Sequence, residues 1–268
     1  MSTPPSENPA VVPALPAATV MLARDGDDGV EVFVLRRTAR AAFAPDMYVF
    51  PGGKVDPADG SADIEAFTEG LSATDASGAL ELDEGGLAYW VAAVRECFEE
   101  ASLLLARRRD GSVTAVPDED RRALHDQELS MVELCRRHDL VLDLSEIRYI
   151  AHWVTPVGES PRRFDTRFFL AAAPDDQEGR HDDVETVHSR WVRPVDALAE
   201  SAAGELALMP PTLACMGFLA EHATVDAALA AADAAGPPPR IQPKIRWGDD
   251  GKIAGVSLPG DPDYDELV

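Results

Sequence analysis

The residues best placed to do chemistry are Arg95-Glu96-Cys97-Phe98-Glu99-Glu100, downstream of Phe50-Pro51-Gly52-Gly53. On a helix, Glu96 precedes Glu99 by three residues and Glu100 by four, so the three carboxylates share one face. At about 3.6 residues per turn they fan over roughly 100° of helix surface. Anions packed this closely repel one another, and a compensating cation makes the cluster sustainable. An all-oxygen donor set suits magnesium or manganese rather than zinc. Arg95, four residues before Glu99, can brace that carboxylate with a bidentate contact. The same pattern also occurs on ordinary solvated helices laced with ion pairs, so the elements around it have to decide.

Those elements must supply a support and a lid. Val91, Val94, Phe98, Ala101 and Leu105 fall on one apolar stripe, with Cys97 and Leu104 at its margin. Gly86 to Arg108 therefore reads as a long amphipathic helix that docks its greasy side on a sheet and leaves its acidic side facing something else. Upstream, Met47 to Phe50 reads as a short strand ending abruptly in Pro-Gly-Gly. Glycine at Gly53 lets the backbone approach a ligand closely and offer a carbonyl oxygen to a metal.

Together these features resemble the Nudix hydrolase box, in which a glycine, an acid and Arg-Glu-x-x-Glu-Glu form a loop–helix–loop. Gly53 matches the first glycine, and Asp59 stands in the place of the following Glu. Arg95, Glu96, Glu99, Glu100 and the aliphatic Leu103 match the remainder. This chain departs from the pattern in three places. The spacer is expanded to the residues from Gly60 to Val94, Asp59 is shorter than Glu, and Ser102 replaces the late glycine. Leu103 to Arg109 is helix-competent, so the helix is expected to continue through Ser102. Glu65, Glu69, Glu81 and Glu84 are alternatives to Asp59 as the helix-orienting acid.

An enlarged spacer resembles the split-box branch of the family that includes the mammalian peroxisomal coenzyme A diphosphatase. Phe33 to Thr38, Val49 to Gly53, Trp153 to Pro156, Arg163 to Phe169 and Leu258 to Asp261 follow the order of that branch, from about Ala18 to the C-terminus. Ala42 and Asp46 stand where its coenzyme A signature expects other residues. The resemblance implies hydrolysis of a nucleoside diphosphate conjugate by water. Glu96 and Glu100 would ligate magnesium or manganese with the Gly53 carbonyl. Glu99 would hold a second ion or a water and help remove the proton, and Arg95, which braces it, is grouped with Glu96, Glu99 and Glu100 as catalytic. Glu159 and Glu185 are alternative bases. Arg37 and Arg163 are the favoured diphosphate-binding residues, with Arg162 and Arg167 behind them. Trp153, Phe164 and Tyr48 are candidates to stack on adenine.

Composition narrows the class. The chain has 268 residues, 46% of them apolar, enough for a substantial core. Forty-eight acids oppose 24 Lys plus Arg, for a net charge of −24, so a basic face for nucleic acid is not expected. Apolar runs are short and interrupted, which argues against a membrane partner. Met1 to Pro16, rich in Pro, Ser and Ala, lacks signal-peptide features and reads as a disordered tail. The three cysteines have no metal-type spacing, the six histidines form no recognisable motif, and a reducing cytoplasm is the expected location. A C-terminal Ser-Lys-Leu address is not present.

The pattern predicts a hairpin from Ala18–Ala23 and Val30–Arg37 around Asp25-Gly26-Asp27-Asp28-Gly29. Gly60 to Glu84 is expected to be a surface excursion with one short helix, and Asp118 to His138 to hold two helices. Strands are expected over Ile147–Thr155, Phe164–Ala173 and Glu185–Val192. A helix over Val195–Glu200, Ala-rich helices from Pro210 to Ala235 and a covering hairpin beyond Pro237 complete the list. The fold class is α/β, a Nudix-type α/β/α sandwich with a mixed sheet. The expected organisation is a tail (1–16), a Nudix domain (17–205) with an insertion inside the box (60–87), and a helical C-terminal extension with a covering tail (206–268). Function is expected to be metal-dependent cleavage of a diphosphate linkage, in coenzyme A or an acyl derivative. A non-catalytic Nudix-fold nucleotide-binding module is the alternative. A homodimer is an expectation from the family alone.

Overall fold

The structure, a computed structural model, describes residues 12–41, 44–112 and 116–267. The first strand, β1 (Ala14–Gly26), turns at Gly29 (φ +115°) into β2 (Gly29–Arg37), with Ala23 opposite Val32 and Gly26 opposite Gly29. The hairpin is the one its Asp/Gly turn predicts, but β1 begins earlier. Residues 14–16, expected in the tail, already pair with Arg163 to Asp165. Residues 1–11 lie outside the described residues, as does Ala42. Two short strands follow, β3 (Tyr48–Val49) on β2 and β4 (Gly52–Lys54) on β1.

The insertion is a largely exposed excursion with the one short helix expected of it, but it is pinned to the core at a few points. A 3-10 turn (Pro57–Gly60) and a second (Ile64–Phe67) lead to β5 (Thr68–Glu69) and α1 (Ala73–Ala79), which Ser72 caps by accepting from the Asp75 N–H. Ile64, Ala76 and Leu80 are buried in the main core. Their apolar side chains anchor the excursion, a spacing too irregular to show as periodicity.

The box helix, α2 (Leu87–Ala101), ends earlier than expected. Ser102 adopts a left-handed conformation (φ 58°, ψ 18°) that stops the helix, the geometry a glycine takes most cheaply. Leu103 to Leu105 then leave the helix axis and β6 (Ala106–Arg108) begins. Nor is the acidic side open to water: every residue of α2 except Glu96 is buried. Beyond it come α3 (Asp118–His125) and α4 (Met131–His138), the second with a reciprocal Ser130–Glu133 capping box. Next is β7 (Leu140–Asp143), which joins β5 and β6 in a small sheet.

β8 (Arg148–Val154), β9 (Arg163–Ala172) and β10 (Thr186–Val192) agree with the expected strands to within a few residues. After them run α5 (Pro194–Ala202), α6 (Pro210–Ala220), α7 (Val225–Ala235), β11 (Arg240–Ile241) and a hairpin of β12 (Lys244–Trp247) and β13 (Ile253–Ser257). The main sheet runs β10-β2-β1-β9-β8-β11, and it is mixed because β1 lies parallel to β9 and β8 parallel to β11.

Period-two alternation divides the sheet between two cores. Ala18, Val20, Leu22, Phe33, Leu35 and Phe169 pack towards α2 and its neighbours. Met21, Val32, Val34 and Leu170 point the other way, against Ala197, Met216, Leu219 and Ala228 of α5 to α7. The result is an α/β/α sandwich. Residues beyond 205 belong to it, because Leu206, Leu208 and Cys215 are buried in the second core.

Candidate functional site

The antiparallel β1–β4 pairing sets Gly53 opposite Ala18 and Gly52 opposite Thr19, and so lays the glycine loop over α2. A side chain at Gly52 would collide with the backbone of β1, and one at Gly53 would displace the Glu96 carboxylate. A Cβ on Gly52 would lie 2.5 Å from the Thr19 hydroxyl oxygen, and one on Gly53 would lie 2.5 Å from Glu96 Oε1. The Gly52 N–H donates to Glu100 Oε2 at 3.0 Å. Loop and helix are therefore in direct contact through Glu96 and Glu100.

Arg95 organises this contact. Its Nε and Nη2 donate to the two oxygens of Asp59, each at 2.9 Å; Nη1 donates to Glu96 at 2.9 Å and Glu99 at 3.1 Å; and Nη2 also donates to the Lys54 carbonyl at 2.8 Å. All five guanidinium N–H groups are used inside the protein. Arg95, grouped with the catalytic residues on sequence, is thus a positioning residue. The question of the helix-orienting acid resolves on Asp59, which is 1% exposed. Glu65 instead accepts from the Ala73 N–H, and Glu69 pairs with Arg107. A shorter acid suffices because the 3-10 turn brings Asp59 up against α2, where its Oδ2 also accepts from the Asp56 N–H.

Burial dominates the electrostatics. It would discharge Arg95, but the bond to Asp59 and the charges of Glu96, Asp59 and Glu99 overcome it and hold the guanidinium above its ordinary value. Burial pushes the Glu99 carboxyl up to about 8, against the pull of Arg95. Glu100 is raised well above the carboxylate range by burial and then by the charge of Glu96, with the Gly52 N–H opposing. Glu96 is raised by burial against Arg95. These are acids short of positive charge.

Two clefts meet at Glu96 and Glu100. The first, about 360 Å³, is lined by the charged Arg37, Glu96, Glu100 and Glu185 with Gly53, and by the aromatic Phe50, Trp153, Phe164 and Phe168. The second, about 610 Å³, is polar and is lined by Asp59, Arg95, Glu99 and residues of α3 and the turn before α4. Glu185 lines both, sits 3.5 Å from Arg37 across an ion pair, and acts electrostatically on Glu96 and Glu100. Glu159 and Arg162 line the first cleft, and burial raises the Glu159 carboxyl.

Arg163 does not reach either cleft. It is 5% exposed and donates to the Thr155 carbonyl at 3.0 Å and the Val12 carbonyl at 2.7 Å, tying β9 to β1. Strand alternation explains the difference, since Arg162 ends the preceding loop while Arg163 begins β9 and turns inward. Arg167 is likewise occupied by Asp165 and His152. Tyr48 contacts His188 and Arg190. Sequence reasoning did not place Pro243, Val256 or the Met209–Thr212 turn on the cleft wall, where they also lie. The Pro210-Pro211 helix start was legible, but nothing local says against what it packs.

Among the described residues, no three His, Cys, Asp or Glu side chains converge as a ready-made metal cage. Glu99 is turned to Arg95, while Glu96 and Glu100 face the glycine loop. The donor chemistry nevertheless fits a hard divalent cation. The fully buried Glu100 and the mostly enclosed Glu96 are oxygen donors with unbalanced charge, and they abut a glycine loop that leaves no room for a Cβ at Gly52.

Residues 72–217 match the family model described as the NUDT19 Nudix domain. The chain is 30% identical over 221 residues to the acyl-coenzyme A diphosphatase NUDT19 of Gallus gallus, covering 68% of this chain and 58% of that protein. It is 28% identical over 237 residues to the Homo sapiens protein of the same name, covering 74% of this chain and 62% of that one. The match thus spans about three fifths of these relatives' length. A crystal structure of a NUDIX hydrolase from Alicyclobacillus acidocaldarius superposes with a TM-score of 0.70 at 30% identity, over 82% of this chain and 97% of that one.

Proposed function

The chain belongs to the Nudix hydrolase family, and on that premise we propose that it hydrolyses the diphosphate linkage of a nucleoside diphosphate conjugate, with coenzyme A or an acyl-coenzyme A as the leading substrate. The observation that carries this reading is the close packing of the Glu96 and Glu100 carboxylates against Gly52-Gly53, at the point where the two clefts join beside Arg37 and Glu185. The substrate class is supported by the activity for which the relatives are named and by a cleft whose wall is both aromatic and charged.

Glu96 and Glu100 would hold a magnesium or manganese ion beside Gly53, and such an ion neutralises diphosphate oxygens and makes water more acidic. The rest falls to the chain. Arg37 and Arg162 bind and orient the anionic oxygens from the cleft wall. Glu185, next to both ligand carboxylates and open to both clefts, accepts the proton of the attacking water. We prefer it to Glu99, whose carboxylate is engaged by Arg95 and lies on the polar cleft alone. Arg95 and Asp59 keep the last turns of α2 in register with the glycine loop. Phe50, Trp153, Phe164 and Phe168 exclude water around the nucleoside or pantetheine portion.

The test is incubation with magnesium and coenzyme A, acyl-coenzyme A, ADP-ribose, NADH, nucleotide sugars and nucleoside triphosphates, followed by product masses. Release of phosphopantetheine, or its acyl form, with adenosine bisphosphate supports the reading. Inertness across the panel would refute hydrolysis and favour a nucleotide-binding module.

A further inference from the structure

The hairpin of β12 and β13 carries an apolar face that starts inside the first cleft and runs out of it. Ile245 pairs with Val256, and Trp247 pairs with Ile253 beyond a register shift. Cross-strand partners share a face, as do residues two apart on one strand, so these four side chains form one row. Its inner end is enclosed: Ile245 is 3% exposed, and Val256, with Pro243, lines the same cleft as Gly53, Glu96 and Glu100. The outer end is open, with Trp247 56% and Ile253 49% exposed. A Cβ on Gly158 would lie 3.6 Å from Trp247 and 4.0 Å from Ile245. Gly158 therefore sits beside the row, on the loop that carries Val157, Glu159 and Arg162.

This row is held firmly rather than left dangling. From the other face of the hairpin, Arg246 donates to Asp263 Oδ1 at 2.7 Å and to the Val256 carbonyl at 2.7 Å, while Lys244 donates to the Leu267 carbonyl at 2.7 Å. An exposed tryptophan and isoleucine side by side on a braced support, continuous with the apolar wall of a cleft, extend that wall into an apolar patch of the kind that marks a binding surface. A chain reaching them from the cleft must be long, linear and aliphatic, because the row is one strand pair wide.

We propose that this face is the track for the aliphatic arm of the substrate. An acyl chain leaving the cleft past Val256 lies along the hairpin to Trp247 and Ile253, and the site thereby favours long-chain over short-chain acyl conjugates. This rests on the reading of the cleft as a diphosphate-conjugate site. It adds a determinant of chain length, supplied by Trp247 and Ile253.

The experiment measures dissociation constants of acetyl- and lauroyl-coenzyme A for the full chain in EDTA, with kcat/KM measured in parallel in magnesium. Each buried methylene is worth about fourfold in affinity, so partial cover of the lauroyl chain should tighten binding by at least about tenfold. A Trp247→Ser, Ile253→Ser double variant should lose that preference to within about threefold and leave the acetyl conjugate within about twofold. Equal wild-type affinities, an unchanged preference in the variant, or no measurable binding of the lauroyl conjugate in either buffer would overturn the proposal. A preference that survives while sedimentation shows the variant converting from dimer to monomer would overturn it too, and would assign the face to a second copy. A length preference in binding without turnover of either compound would refute acyl-coenzyme A as the substrate that is hydrolysed while leaving the track in place.

Discussion

At Glu96, mostly enclosed, and Glu100, fully buried, two carboxylates are held with too little positive charge near them, because Arg95 divides its donors among Asp59, Glu96, Glu99 and a carbonyl. Replacing either glutamate with glutamine removes an anionic donor while keeping the shape. We expect kcat to fall by about 10²-fold or more for Glu96→Gln and Glu100→Gln, the scale of lost transition-state electrostatics, with the folded structure retained by circular dichroism. Wild-type turnover in either variant would remove the metal assignment. Glu99 gives a pH signature. Its folded value of about 8 lies above the unfolded value near 4.5, so the folded state holds the extra proton between them. The stability this contributes is complete below the unfolded value and is lost as pH rises through about 8. In EDTA the midpoint of thermal unfolding should therefore fall from pH 5 to pH 8. Magnesium, which competes with protons for the acidic cluster, should raise that midpoint more at pH 8 than at pH 6. A magnesium effect that is equal at both pH values would count against these acids as the binding site.

At the scale of elements, the turn after α2 shows where the chain can be read and where it cannot. The carboxylate spacing on α2, the Asp/Gly hairpin and the two-helix segment at 118–138 were all legible, since each depends on neighbours within a few residues. Ser102 was not. Its sequence context permits a continuing helix, and only the packing of Leu103 and Leu104 into the core draws the chain away at that point. Asp59 was left among five acids for a related reason, as the 3-10 turn that delivers it depends on packing across the expanded spacer. Arg163 illustrates the remaining difficulty: a single step of strand phase separates a cleft residue from a buried tie between β9 and β1. The Ser102 geometry makes a direct prediction. Glycine at this position removes the left-handed penalty of a residue with a Cβ, partly offset by the greater freedom of the unfolded chain. Ser102→Gly should stabilise the protein by about 0.5–1 kcal/mol, read as a higher denaturant midpoint with an unchanged slope. A loss of stability would show that the serine side chain makes a compensating contact.

Across the whole molecule, the sandwich places one family of helices over the carboxylate side of the sheet and closes the other side with α5 to α7. The C-terminal hairpin joins a cleft that the box residues alone do not complete. The assembly carries a net charge of −24 and offers its proposed substrate, itself a polyanion, only a few local cations such as Arg37 and Arg162. Encounter is then opposed at long range and favoured only at contact. Salt screens the long-range part first, because the Debye length shortens to about 8 Å near physiological ionic strength while contacts inside the cleft are screened much less. With magnesium held constant and saturating, kcat/KM should rise by roughly two- to fivefold as sodium chloride is raised from low to physiological concentration, chiefly through KM. A protein that steers its anionic substrate with a basic surface shows the opposite slope. A steep fall of kcat/KM over that range would mean that the cations lining the cleft dominate the approach, and that the acidic surface has little part in how the substrate arrives.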